Sequence, residues 1–259
     1  MSRISCGLQG SLSQSLIKRF VQRTMTFDHR VRPFLKNNTF LGGLPDAALD
    51  TVIHKGHIKK FLKSEVACRR NEAGDNLMMI LTGRLKITNI NADGKEVVLN
   101  FLEAGDLIGE IAVLDGKERT ANAIAIENSE AFVVYARDLI PVIGAHPQVM
   151  FEIMHVLCEK LRAASAIIED NTLEMRARAA KGLLRLAQQL GRTSKDGIRL
   201  NLMVSQSELG SYLSLSRANV SRQLGQLKDA NVIRIDGTQI IIVDEKGLSE
   251  IAEAASPRY

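Results

Sequence analysis

The residues best suited to chemistry in this chain lie between Ile108 and Ala121, in the stretch IGEIAVLDGKERTA. Gly109 permits close backbone approach, and the segment Glu110, Ile111, Ala112 is predicted to form one helical turn whose free N–H groups point at an anion. Glu110 supplies an acceptor suited to a sugar hydroxyl. Arg119 and Thr120 supply a guanidinium fork and a hydroxyl suited to phosphate oxygens. A phosphate and a ribose would be satisfied together. Nothing beside Glu110 or Arg119 could activate water, and no nucleophile is paired with a base, so the chemistry is binding and the chain is not expected to be an enzyme.

Other reactive residue types do not assemble into a site. His54 and His57 are three apart, but no third ligand follows at a useful spacing, so no metal is expected. Cysteines stand at 6, 68 and 158 with no CxxC pair, which fits a reducing cytoplasm and excludes a cysteine-held iron–sulfur cluster.

The elements that would position the stretch follow from periodicity. Residues 31–61 read as a short helical lead-in, with Leu49, Val52 and Ile53 at helical spacing after Pro45-Asp46. From Phe61 to Arg137, short apolar or alternating runs (NLMMILTG, RLKITNI, EVVLNFL, ANAIAIE, EAFVVYA) recur every eight to twelve residues between Gly and Asp corners, predicting an antiparallel double-sheet barrel. Asp93-Gly94 marks a hairpin. A long helix from Pro147 to about Asn171 carries Met154, Leu157, Leu161, Ala164, Ile168 and Asn171 at alternating spacings of three and four, a seam that wants a partner helix.

A helix from Met175 to Leu190 follows, stopped by Gly191, and then the polar loop GRTSKDG. Two short helices with a tight turn and a β-hairpin closed on Asp236-Gly237 give the layout of a winged helix-turn-helix. Its second helix, opened by Ser216 as N-cap, projects Arg217, Ala218, Asn219, Ser221 and Arg222. Arginines there can fork onto guanine in a major groove, while Ser205, Gln206 and Ser216 suit phosphates. Ser214 stands at the turn, at some cost if the backbone there needs a positive φ.

Charge is unevenly distributed. Residues 1–24 hold four basic side chains and no acid; residues 25–173 hold 17 Lys/Arg against 20 Asp/Glu; residues 174–259 hold 13 against 9. An acidic front joined to a basic rear suits a sensor coupled to a nucleic-acid reader. No apolar run is long enough for a membrane span. The leader has a transit-peptide-like composition, but reads as an upstream start or a flexible tail.

The stretch from Ile108 to Ala121 resembles the phosphate-binding cassette of the CRP/FNR family of bacterial transcription regulators, and the resemblance runs from about Phe34 to Val243. It implies an α+β architecture: a flexible basic leader over 1–28, a cyclic-nucleotide-binding jelly roll over 29–146, a central dimerisation helix and hinge over 147–173, and a winged helix-turn-helix domain over 174–259. By resemblance, Glu110 takes the ribose 2′-OH, and Arg119 and Thr120 take the cyclic phosphate, with Ile108, Gly109, Ile111, Ala112 and Ala121 around them. Gly83 lies near the nucleotide, and Lys160 either pairs with Glu110 or is solvated.

Relatives that bind cyclic AMP bring Thr-Ser from the central helix onto the adenine. Here the pair is Ala164-Ser165, so one base contact is missing, and Ser165 is expected to reach across from the partner subunit. Ala218 replaces a glutamate that reads cytosine in some relatives. The resemblance thus implies a homodimer that binds cAMP, or cGMP as the alternative, then a pseudo-palindromic DNA operator, and that contacts RNA polymerase. Two further readings stay open: a ligand-independent or redox-responsive regulator using Cys68 and Cys158, and a nucleotide-binding module that regulates a protein partner.

Overall fold

The computed structural model describes residues 30–200, 205–237 and 239–254, so the basic leader and Cys6 lie outside the described residues. Helix α1 (residues 30–38) leads through a 3-10 turn, Phe40–Gly43, into α2 (Asp46–Lys55). Leu49, Val52 and Ile53 are its buried face, as their spacing predicts. The helical lead-in ends earlier than the sequence suggests. Gly56 is extended against the Phe132 ring, where a Cβ would sit 2.0 Å from Cζ, and β1 (His57–Phe61) begins at once. His54 and His57 are therefore on different elements. His54 Nδ1 donates to the Asp50 carbonyl at 2.7 Å, and His57 lies beside Tyr135.

Strands β2 (Val66–Cys68), β3 (Asn76–Thr82), β4 (Leu85–Ile90), β5 (Glu96–Leu102) and β6 (Leu107–Ile108) follow, then α3 (Glu110–Asp115), β7 (Asn122–Ala125) and β8 (Ser129–Tyr135). They form two antiparallel sheets, ordered β1-β8-β3-β6 and β2-β7-β4-β5. The unbroken apolar run in β3 is explained by burial on both faces. Met78 and Ile80 enter the core between the sheets, while Leu77, Met79 and Leu81 pack outward against the helices. Strand β8 divides likewise, with Ala131 and Val133 inside and Phe132 and Val134 outside.

Helix α4 (Ala136–Ala145) has no counterpart among the predicted elements. Pro141 within it argues against a helix from sequence, yet Leu139 and Ile143 bury at i, i+4. Helix α5 (Pro147–Asp170) is the long central helix, and α6 (Met175–Leu190) follows a short hinge. Asp170, at the end of α5, is buried and paired with Arg185 and, at 3.5 Å, with Lys181. Arg178 Nη2 donates to the Asn171 and Leu173 carbonyls at 2.7 and 2.9 Å, so α6 holds the hinge by its carbonyls.

The polar stretch GRTSKDG is a hairpin rather than a loop, formed by β9 (Gly191–Ser194) and β10 (Gly197–Leu200). Its pairing is made by backbone, which polar composition hides. Gly197 is required there: its φ is +119°, and a Cβ would meet the Ile242 carbonyl oxygen at 2.1 Å. Helices α7 (Gln206–Tyr212) and α8 (Arg217–Asp229), strands β11 (Ile233–Asp236) and β12 (Gln239–Ile242), and α9 (Glu245–Glu253) complete the C-terminal domain. Its sheet runs β11-β12-β10-β9. Val98, Phe101 and Ile126 of the barrel belong to the same apolar cluster as Leu209, Tyr212 and Leu213, so the two domains touch.

Candidate ligand cleft and nucleic-acid interface

Gly109 caps α3 with φ +93°, a conformation that favours glycine, and α3 begins at Glu110. The glycine has a second reason. A Cβ there would lie 1.5 Å from Arg119 Nη1, so only glycine leaves room for the guanidinium beneath the turn. Arg119 is 4% exposed. Its Nη2 donates to Asn76 O at 2.7 Å and Asn76 Oδ1 at 3.0 Å, while Nη1 is buried with no hydrogen-bond partner. Among the described ion pairs none involves Arg119. A buried cation without a counter-anion is costly, and an incoming anion would offset that cost.

Glu110, 7% exposed, is balanced differently. Lys160 reaches down from α5, and its Nζ donates to Glu110 Oε1 at 2.8 Å and to the Leu107 carbonyl at 3.2 Å. The pairing expected from the resemblance is present, and it ties α5 to the α3 turn. Asp106, also on the cleft wall, has its carboxyl pushed up by burial, partly offset by the Glu103 N–H that it accepts and by nearby Lys160.

These residues line one cleft of about 1140 Å³, bounded by the barrel, α5 and the C-terminal domain. Ile108, Gly109, Glu110, Ile111, Ala112, Arg119, Thr120, Ala121, Lys160 and Ala164 all border it. Gly83 does not. It sits at the β3–β4 turn with φ +84°, where a Cβ would be 2.3 Å from Ser129 Oγ, so its need is local. Ser165 is exposed on α5 and is not part of the lining. Cys68, Asn89 and Asn100 do line the cleft, although no spacing singles them out. Burial pushes the Cys68 thiol up, which leaves it a poor nucleophile and weighs against a redox trigger there. The described residues contain no cluster of metal-ligating side chains.

On α5, Met154, Leu161 and Ile168 are exposed, the last two to 69% and 70%, while Leu157 is half-buried against the barrel-side core. Ala164 is exposed on the same helix, and Asn171 is its C-cap. Phe151 extends the exposed apolar surface.

In the C-terminal domain, α7 opens with a capping box. The Ser205 hydroxyl accepts from the Glu208 N–H, and the Glu208 carboxylate accepts from the Ser205 N–H. Ser216 caps α8, accepting from the Asn219 N–H at 3.2 Å. The turn between them takes Ser214 to φ +53°, the strained conformation that the sequence suggests. Gly210 allows the close approach, since a Cβ there would meet the Leu215 carbonyl at 2.7 Å. Arg217, Ala218, Ser221 and Arg222 are exposed on α8, as are Ser205, Gln206 and Ser216 at the two helix starts, with Asn219 half-exposed. Arg222 Nη2 rests on Asn219 Oδ1 at 3.0 Å. No described helix is long and apolar enough to cross a membrane.

A double-sheet barrel with a glycine-capped turn over a buried arginine, joined by a long helix to a winged helix-turn-helix, defines a class of ligand-sensing DNA-binding proteins. The family model described as "Cyclic nucleotide-binding domain" matches residues 58–146, and that described as "Crp-like helix-turn-helix domain" matches 177–251. The chain is 28% identical, over 74% of its length and 86% of the relative's, to the CRP-like cAMP-activated global transcriptional regulator of Mycobacterium tuberculosis. The structure of FixK2 from Bradyrhizobium japonicum superposes with a TM-score of 0.69 at 23% identity, covering 78% of this chain and 99% of that one. The c-di-GMP responsive regulator CLP of Xanthomonas campestris superposes at 0.66 with 17% identity, covering 76% and 99%. The chain belongs to the CRP/FNR family and is a transcription regulator with a cyclic-nucleotide-binding domain.

Proposed function

We propose that this chain is a cytoplasmic homodimeric regulator that binds cAMP in the cleft and then a pseudo-palindromic DNA operator. The observation that carries the ligand reading is Arg119, buried without a counter-anion beneath the turn at Gly109. A cyclic phosphate supplies the missing charge, with Thr120 beside it. Glu110, held in place by Lys160, accepts from the ribose 2′-OH. The cAMP-activated relative from M. tuberculosis supports cyclic AMP. Ala164 offers no hydroxyl to the base, so the hydrogen bond to adenine falls to Ser165 of the second protomer, and cyclic GMP is the competing ligand.

Dimerisation covers the exposed apolar side chains of α5, Phe151, Leu161 and Ile168 among them, and sets two α8 helices for successive major grooves about 34 Å apart. Arg217 and Arg222 read bases, and Ser205, Gln206 and Ser216 hold phosphates. The nucleotide draws barrel and α5 together and straightens the hinge beyond Asn171. RNA polymerase is the downstream partner. Calorimetry with cAMP and cGMP tests the reading: heat with cAMP, and weaker heat with cGMP, is expected. No heat with either overturns it.

A further inference from the structure

Arg119 is held along one edge of its guanidinium and open along the other. Its backbone is fixed first: the N–H donates to the Glu72 carbonyl at 2.8 Å, and the carbonyl accepts from the Asn71 N–H at 2.9 Å. The segment Gly74-Asp75-Asn76 then runs close against α3. A Cβ on Gly74 would lie 2.1 Å from Ala112 Cβ, and the Asp75 carbonyl accepts from the Ala136 N–H at 2.8 Å. Asn76, at the start of β3, is placed by these contacts. Its carbonyl and its Oδ1 both accept from Arg119 Nη2, which leaves Nη1 beneath the Gly109 turn with no partner.

The amide is turned by its neighbour. Asn76 Nδ2 donates to Asp75 Oδ1 at 2.8 Å, so the nitrogen faces the carboxylate and the oxygen is left to the arginine. Asp75 is exposed, so a carboxylate stands in water while a neutral amide stands at the buried cation. That one-residue offset sets the charge of the site. A carboxylate at position 76 would pair with Arg119 and satisfy it within the chain, whereas an amide accepts the same hydrogen bond without neutralising the guanidinium. Glu110, the buried carboxylate at the same turn, is engaged by Lys160 at 2.8 Å. The charge of Arg119 is therefore left for an outside anion.

We propose that Asn76 is a positioning residue of the phosphate subsite: it aims the guanidinium at the Gly109 turn and, being neutral, reserves its charge for the ligand, with Asp75 orienting the amide. The proposal rests on the cyclic-nucleotide reading of the cleft. It adds that an amide at position 76, rather than a carboxylate, keeps the empty site unsatisfied and the filled one favourable.

The test exchanges the two side chains. Asp75→Asn combined with Asn76→Asp keeps the net charge and allows a hydrogen bond between the two positions, but moves the carboxylate to the guanidinium. The full chain is titrated with cAMP by calorimetry and melted without nucleotide. The exchange is expected to weaken cAMP binding about tenfold and to raise the nucleotide-free melting temperature by about 2–4 °C. A merely structural role would move both downward. Asp75→Asn alone, whose side-chain oxygen still accepts from the amide, should weaken cAMP by only about twofold. Asn76→Ala removes Oδ1, leaves the backbone acceptor, and should weaken cAMP about threefold. An exchange variant that binds cAMP like wild type, that loses affinity and melting temperature together, or that loses no more than Asp75→Asn overturns the proposal. If the exchange variant does not fold, Asn76→Ala decides, and unchanged affinity there overturns it. A wild-type chain that gives no heat with either cyclic nucleotide overturns instead the ligand reading beneath it.

Discussion

The ligand cleft and the contact between α7 and the barrel each withdraw a cation from water, and they balance it in opposite ways. Arg119 is left with a free N–H edge and no carboxylate, whereas Lys86 is held between two carboxylates and contributes to both domains. An unmatched buried charge is a site that only an outside molecule can complete. A matched pair bridging two domains is complete as it stands, and gives way only when something competes for one of its members. The chain therefore places its external demand in the cleft and its internal restraint on the far side of β4.

The sharpest way to break this comparison is Arg119→Ala. If Arg119 is the unmatched charge that a cyclic phosphate completes, its loss should cost nucleotide binding about 3 kcal/mol, on the order of a hundredfold. Dimer formation should be unaffected, because the exposed apolar face of α5 lies on another element. Calorimetry beside analytical ultracentrifugation checks both. Normal nucleotide affinity would remove Arg119 from the phosphate site.

On the DNA side, Arg217 is exposed at the first turn of α8 with no ion pair among the described residues, a small counterpart of Arg119. Arg217→Ala should relax sequence preference at one base position by about 1–3 kcal/mol, read from competition between the selected duplex and point variants of it. A uniform loss on all duplexes would make it a phosphate contact only.

Within the cleft, Lys160→Ala turns a matched charge into an unmatched one. It leaves Glu110 buried without its cation, but Lys160 is itself about a third exposed, so solvent screens part of the loss. Nucleotide affinity should fall about tenfold, roughly 1.4 kcal/mol, as Glu110 loses its hold. Lys160→Arg should restore most of it. An unchanged affinity would mean that Glu110 is positioned by the α3 turn alone.

How much of this was legible from residues alone depended on the range of the interaction. Local chemistry read correctly: Ser216 caps its helix, Asp93-Gly94 turns a hairpin with Gly94 at φ +74°, and Ser214 carries the positive φ that its place in the turn demands, whereas the capping box of Ser205 with Glu208 was not anticipated. The cassette residues were visible because their types cluster within one short stretch. What balances them was hidden. Asn76, which holds Arg119, is 43 residues away, and Glu208 is 122 residues from Lys86, so neither pairing leaves a periodic trace. Helix α4 was masked by Pro141 and the β9–β10 hairpin by polar composition, because backbone pairing and burial overrode local preference. Lys160 is the intermediate case: its pairing with Glu110 was one of two open readings from the resemblance, and the geometry selected between them.

The smallest expected effect is the pH response of the Lys86 pairing between α7 and the barrel, and its sign separates the two regions again. Burial pushes the Glu208 carboxyl up, but the hydrogen bond from Lys86 and those from Ser205 outweigh it and leave the group below the usual glutamate range. A lowered carboxyl pKa contributes stability above the ordinary value, and that contribution is lost as pH falls through the lowered one. Burial alone would lower Lys86, but Glu96 and Glu208 raise it on balance, so its contribution is present below the ordinary lysine value and lost only at alkaline pH. That pairing should therefore be constant from about pH 5 to 9 and loosen in acid. Asp106 in the cleft runs the other way: burial raises its carboxyl, so its charged form costs stability at neutral pH and protonation relieves that cost as pH falls. Separation of α7 from the barrel, followed by small-angle scattering across this range, should stay flat to about pH 5 and increase only below it. A change centred between pH 6 and 7 would point to a histidine and away from the Lys86–Glu208 pair.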